Sequence, residues 1–178
     1  ARREKTDASW RAELRSALEA AEASGIRAVV LVGEGKGFSA GADFADLHGD
    51  ASDLDYDAAM SGLTGVLEDS PMVSVAAIHG ACMGAGLDLA LACDFRVASP
   101  DAVFALPAVQ MGILYNPARL ARVLPMLSHG AASRLLLLAD RLDAPQAQAA
   151  GIVTHLLPEG EVPEAAAVAL AVRAASLP

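Results

Sequence analysis

Two glycine-rich stretches are the places where the backbone of this chain could do chemistry. Four glycines fall among the eleven residues 33–43, and three more fall within His-Gly-Ala-Cys-Met-Gly-Ala-Gly at 79–86. Backbone N–H groups become anion receptors when glycines clear side chains from the approach, or when the groups sit at the open N-terminus of a helix. Segments 38–44 and 84–88 both have this character, and two such donors aimed at one point would form an oxyanion hole for a carbonyl. Either loop alone reads more simply as a tight turn, so the pair carries the argument. An oxyanion hole only stabilises charge, and a second group must move the proton. Asp88, in the helix that follows the second loop, is the candidate. Its alternative role is to complement the helix dipole from the first turn, worth ~0.3–1 kcal/mol.

Other polar residues carry less. Tyr115 is a phenol in the loop before residue 117, and its simpler role is a wall residue with its hydroxyl on a backbone group. His79 precedes the second glycine loop, where steadying the turn is the expected task. Asp43 suits an Asx-type bond that shapes the first loop. Ser39 has no His–Asp context for a nucleophile. His48, His129 and His155 have no Cys or acid partners at ligand spacing, so no metal site is expected. Cys82 and Cys93 read as core filler.

The elements that must position these groups alternate between helix and strand. Trp10, Leu14, Leu18 and Ala21 recur at helical spacing over 8–23, with Asp7 as a cap, and a buried strand is expected over 27–32. A helix over 53–68, a strand over 73–78, a helix over 87–92 and a strand over 95–98 follow. Helical segments are expected at 117–127, 131–139 and 144–150, then a short strand at 152–156 and an Ala-rich helix at 161–175. The pattern implies an α/β fold of stacked β-β-α units with parallel sheet, in one domain spanning 1–178.

Composition bounds the partners. Hydrophobic residues make up 54% and aromatics 4%, so Ala, Val and Leu must fill the core. A net charge of −9 without any basic run argues against nucleic acid as a partner. The most apolar stretch, 81–92, is interrupted by Asp88 and too short to span a bilayer, so no membrane association is expected. Two cysteines and a charged start at 1–5 without an apolar signal core imply a cytoplasmic protein.

Segments 27–47 and 73–99 together resemble, in order and spacing, the hallmark segments of the crotonase superfamily, the enoyl-CoA hydratases and isomerases, and the likeness continues through 107–124 and 142–158. The resemblance implies a spiral core of β-β-α units followed by helices, and an acyl-CoA thioester as substrate. It assigns the two oxyanion donors to the backbone of Ala42 and Ala85, and assigns CoA contacts to Ala40, Gly41, Asp43, Phe44, Lys5 and Thr6. No separate cofactor is implied, since coenzyme A travels as part of the substrate. A homotrimer, or a hexamer of paired trimers, is expected. An apolar helix at 162–172 would otherwise be exposed. The family's strand hairpin before residue 8 and its helices beyond residue 178 are expected to be missing from this sequence.

Asp88 matches the first of two carboxylate positions found in hydratases, while the second falls on Ala108, which cannot take a proton. Nearby Gln110 can hydrogen-bond without titrating. The implied activity is that of a lyase or isomerase holding a thioester enolate, weak as a hydratase. Gly-Ile-Leu-Tyr-Asn-Pro at 112–117 resembles the loop of a decarboxylase branch, which makes Tyr115 the candidate for assisting loss of CO₂ from a malonyl-type thioester. A protein that binds acyl-CoA without catalysis is the third reading.

Overall fold

The computed structural model describes residues 8–42 and 53–177. Helix α1 (Ala8–Ala23) leads into strand β1 (Ala28–Val32), and α2 (Asp53–Asp69) leads into β2 (Val73–Ile78). Then come β3 (Ala81–Met83), α3 (Ala85–Ala92), β4 (Phe95–Ala98) and β5 (Val103–Ala105). Two short helices, α4 (Pro117–Val123) and α5 (His129–Leu137), precede β6 (Leu142–Asp143), α6 (Ala144–Ala149), β7 (His155–Leu156) and α7 (Pro163–Ala175).

The strands form two sheets, and the chain alternates between them. The first sheet has order β1-β2-β4-β7 with every pair parallel, which explains why its longer members are near-continuous apolar runs. The second has order β3-β5-β6. Each turn of the spiral contributes a strand to the first sheet, a strand to the second, and then a helix, as β2-β3-α3 illustrates. The first turn follows the same plan, because the loop after β1 runs beside β3 as a parallel bridge between Ser39 and Cys82. Ser39 N–H donates to the Ala81 carbonyl and Met83 N–H to the Ser39 carbonyl, both at 2.9 Å.

Alternation along β2 divides the core. Val75 and Ala77 pack with Val97 against Ala167, Leu170 and Ala171 of α7. Ala76 and Ile78 face the other way, into the larger core with Met60, Leu63 and Leu67 of α2 and Leu87 and Leu91 of α3. The α7 helix therefore covers the sheet with one face, and Val168 and Val172 are its exposed large apolar residues on the other. The apolar helix expected to be exposed at 162–172 is thus partly covered by the chain's own first sheet.

Three boundaries differ for physical reasons. Pro125 has no N–H to donate, so the expected helix at 117–127 continues past α4 only as a 3₁₀ turn, Leu124–Met126. Helix α5 starts two residues early because the Ser128 side chain accepts from Ala131 N–H at 3.3 Å. The expected strand at 152–156 shrinks to β7 because the Ile152 and Val153 N–H groups turn back to the Ala147 carbonyl at the end of α6.

The two glycine loops touch at Gly86, where a Cβ would lie 2.4 Å from the Ser39 Cβ. Gly86→Ala should therefore destabilise the fold by about 1–3 kcal/mol, the usual range for overpacking. Thermal melting should record it as a loss of about 2–4 °C per kcal/mol.

Candidate active site

Each half of the site starts at the end of a strand. After β1 the chain passes through Ser39, whose Oγ accepts from Gly41 N–H at 3.2 Å and tightens the turn. Gly41 has φ 97°, and a Cβ there would approach the Met83 carbonyl oxygen to 2.9 Å, so only glycine lets the first loop lie this close to the second. His79 Nε2 lies 3.2 Å from the Gly35 carbonyl, which ties the second loop to the first as a steadying contact. After β3, Gly84 caps α3, and Ala85 is the first residue of that helix. The N–H of a first helical residue has no acceptor within its own helix.

Ala40, Gly41 and Ala42 of the first loop and Gly84 and Ala85 of the second line one pocket of about 120 Å³. Asp88, Ala108 and Tyr115 line the same pocket. Leu106, Met111, Ile113 and Leu114 give it an apolar wall, and Leu114 is 85% exposed at the lip. Gln110 is exposed and lines an adjoining pocket with Pro107 and Arg141 instead. The positions Lys5, Thr6, Asp43 and Phe44, as well as Asp7 and His48, lie outside the described residues.

Asp88 lies one turn into α3 and is 1% exposed. Its Oδ1 accepts from the Tyr115 hydroxyl, and its Oδ2 accepts from Arg119 Nη1 at 2.9 Å. Arg119 also pairs through Nη2 with Asp57 of α2, and its guanidinium carbon lies 5.4 Å from the centre of the Tyr115 ring. Arg122, one turn further along α4, pairs with Glu68 of α2 and reaches the Asp88 carbonyl at 3.5 Å. Burial pushes the Asp88 carboxyl up to about 6, against the pull of Arg119 and Arg122 and with the help of Asp57. A carboxylate at that value is ionised at neutral pH and still basic enough to take a proton from carbon.

Two sequence readings change here. The Tyr115 hydroxyl sits on a carboxylate rather than on a backbone group. Asp88 is a buried, paired acid on the pocket wall, which is more than a partner for the helix dipole. Sequence reasoning missed Asp57 and Arg119, which line the pocket. A helical repeat was available as a signal, since Asp53 and Asp57 stand four apart on α2 and both reach the pocket. Burial also pushes the Cys93 thiol up to about 12 and raises Cys82, in keeping with both as inert core residues. Among the described residues, no three His, Cys, Asp or Glu side chains come together as a cation site, and no helix is long and apolar enough to cross a membrane.

Comparison with known proteins decides the family. The family model described as enoyl-CoA hydratase/isomerase matches residues 5–177. The chain belongs to the enoyl-CoA hydratase/isomerase family. Among members of this family, the Mycobacterium tuberculosis protein named "Probable enoyl-CoA hydratase echA6" is 39% identical over 144 residues, covering 81% of this chain and 58% of the relative. The human mitochondrial Delta(3,5)-Delta(2,4)-dienoyl-CoA isomerase is 32% identical over 167 residues, covering 84% of this chain and 50% of the relative. The chain thus spans little more than half the length of these curated relatives. A solved enoyl-CoA hydratase/isomerase family structure from Silicibacter pomeroyi superposes with a TM-score of 0.88 at 30% identity, covering 100% of this chain and 76% of that one. The crotonase fold inferred from the two glycine loops is therefore the fold of this chain.

Proposed function

We propose that the protein binds an acyl-CoA thioester in the pocket between the two glycine loops and moves a double bond within its acyl chain. The thioester oxygen lies between the N–H groups of Ala42 and Ala85, and the acyl chain runs along Leu106, Met111, Ile113 and Leu114. With a 3-enoyl thioester, the Asp88 carboxylate takes a proton from C2, and the electron pair moves into a dienolate whose negative oxygen rests on the two N–H donors. Asp88 then returns the proton to C4, leaving a 2-enoyl thioester. One acid suffices because the same proton leaves and returns.

The observation that carries this reading is Asp88, among the described residues the one fully buried carboxylate on a pocket wall that holds Ala108 where a second acid would be needed. Syn addition of water wants one group to activate the water and another to deliver the proton, so hydration should be weak. Ala108→Glu places a carboxylate on the wall that Asp88 shares. It should raise water addition to crotonyl-CoA by at least about ten-fold, within the ~10²–10⁴-fold range of an acid or base group. Robust hydration by the unmodified protein would overturn the assignment. Incubation with a panel of CoA thioesters, followed by mass analysis of products, then identifies the substrate.

A specific observation favours a second reading, an acyl-CoA-binding protein without turnover. Both Asp88 oxygens are already engaged, one by Tyr115 and one by Arg119. The same engagement weighs against a decarboxylase built on Tyr115, whose hydroxyl proton is directed at Asp88. The proposal includes a homotrimer or a hexamer, for which exposed Leu137 and Leu138 at the end of α5 offer apolar contact surface.

A further inference from the structure

We infer that Asp57 and Arg119 are positioning residues that set the orientation and proton affinity of Asp88, with Asp57 acting by drawing part of the Arg119 charge away from it. The inference rests on reading Asp88 as the proton-transfer group, and goes beyond it by naming what controls that group. Its basis is geometric. One guanidinium from α4 is shared between two carboxylates on two other helices, through Nη1 to Asp88 on α3 and Nη2 to Asp57 on α2. The Arg119 side chain is 10% exposed and that of Asp88 2%, whereas that of Asp57 is 27% exposed. The buried end of the chain therefore feels its charges weakly screened, and the outer end is open to solvent.

Arginine suits this task because its planar fork can hold two acids in fixed directions at once, which a single ammonium cannot. The guanidinium carbon also lies 5.4 Å from the centre of the Tyr115 ring, a further contact on the fork. The charge arithmetic is uneven, one cation to two carboxylates, so any hold that Asp57 gains on Arg119 is lost to Asp88.

All groups that face Asp88 among the described residues enter the balance. From α4 come Arg119 and Arg122, of which Arg122 is also held by Glu68. From α2 come Asp57 and, on the same pocket wall, Asp53 and Tyr56. Strand β3 contributes the Cys82 thiol, kept neutral by burial, and the loop before α4 contributes the Tyr115 hydroxyl. Of these, Arg119 and Asp57 act in opposite directions on Asp88, and they are bonded to each other.

The test follows the Asp88 carboxyl directly by NMR of protein carrying ¹³C-carboxyl-labelled aspartate, with Asp88→Asn assigning the signal. Asp57→Asn should lower the Asp88 midpoint by about one pH unit, because Arg119 then turns wholly to Asp88. Arg119→Met should raise it by about 1–3 pH units, and Arg119→Lys should fall between Arg119→Met and the unmodified protein. If Arg119→Met does not fold, Asp57→Asn still decides, since it removes only the charge of a partly exposed partner. A midpoint that stays put or rises in Asp57→Asn overturns the inference. The acid limb of turnover should shift with the NMR midpoint in each variant. If the midpoints move as stated while the turnover profile stays fixed, the tuning stands and the assignment of Asp88 as the reacting base falls.

Discussion

Asp88→Asn should leave acyl-CoA bound and remove turnover. Asparagine keeps the shape, and its one carbonyl oxygen can accept from Arg119 while its NH2 donates to the Tyr115 oxygen, but it cannot take a proton from C2. Loss of a general base typically lowers the rate by ~10²–10⁴-fold. In the unmodified protein the base must be ionised, so turnover should fall as pH drops below about 6, the value to which burial pushes Asp88. Isothermal titration with a non-reacting acyl-CoA separates binding from chemistry. Unchanged turnover in Asp88→Asn would exclude Asp88 as the base, whereas no turnover in either form, with binding intact in both, would favour the acyl-CoA-binding reading.

The same substitution has a stability signature of defined sign. The folded-state pKa of Asp88 lies above the ordinary carboxylate value of 3.8, so between about 4 and 6 the folded chain holds a proton that the unfolded chain has released. The stability contributed by this group is fully present below about 4 and is lost as pH rises through about 6. Asparagine carries no such dependence. Across that window the variant should therefore gain on the unmodified protein by roughly 3 kcal/mol, from two pKa units at ~1.4 kcal/mol each. Chemical denaturation at pH 4 and pH 7 measures the change in the difference, whatever its starting value.

How much of this was legible in the sequence depended on the length of each signal. Strands β1, β2 and β4 announce themselves because strands of a covered parallel sheet are near-continuous apolar runs, interrupted here by Ser74 and Arg96. The second sheet left no such trace. Its members β3 and β5 have three residues each and β6 has two, below the four to eight that make a strand pattern readable. Segment 79–86 consequently read as one glycine-rich turn, although its middle is β3. The candidate site divided in the same way. The glycine loops stand out because close backbone approach restricts residue type, and it is the resemblance to the crotonase superfamily that assigns the donors within them to Ala42 and Ala85. Asp88 meets Tyr115 and Arg119 across 27 and 31 residues, Arg119 meets Asp57 across 62, and no local spacing encodes them. Arg119 in particular looks like an ordinary helical arginine until α2 and α3 are packed on either side of it.

Ala85→Pro tests the oxyanion hole itself, and the local structure makes it an unusually clean change. Ala85 is the first residue of α3, where proline is well accepted because its missing N–H would make no bond within the helix. Gly84 before it has ψ −120°, an extended value that a following proline tolerates in the absence of a Cβ. The Gly84 N–H bond to the Ala105 carbonyl and the Asp88 N–H bond to the Gly84 carbonyl, at 2.9 and 3.0 Å, do not involve the substituted nitrogen. The fold should therefore survive, with circular dichroism and melting close to those of the unmodified protein. What disappears is one of the two donors to the thioester oxygen, and removal of such a donor typically lowers kcat by ~10²–10³-fold. The proline ring carbon also stands in the former N–H direction against that oxygen, so kcat and the affinity for substrate should fall together. Ala85→Gly, which keeps the N–H and removes only a methyl group, should retain most of the activity. A proline variant that folds normally and turns over at the original rate would mean that the Ala85 N–H does not face the reacting carbonyl, and the proposed hole would have to be abandoned.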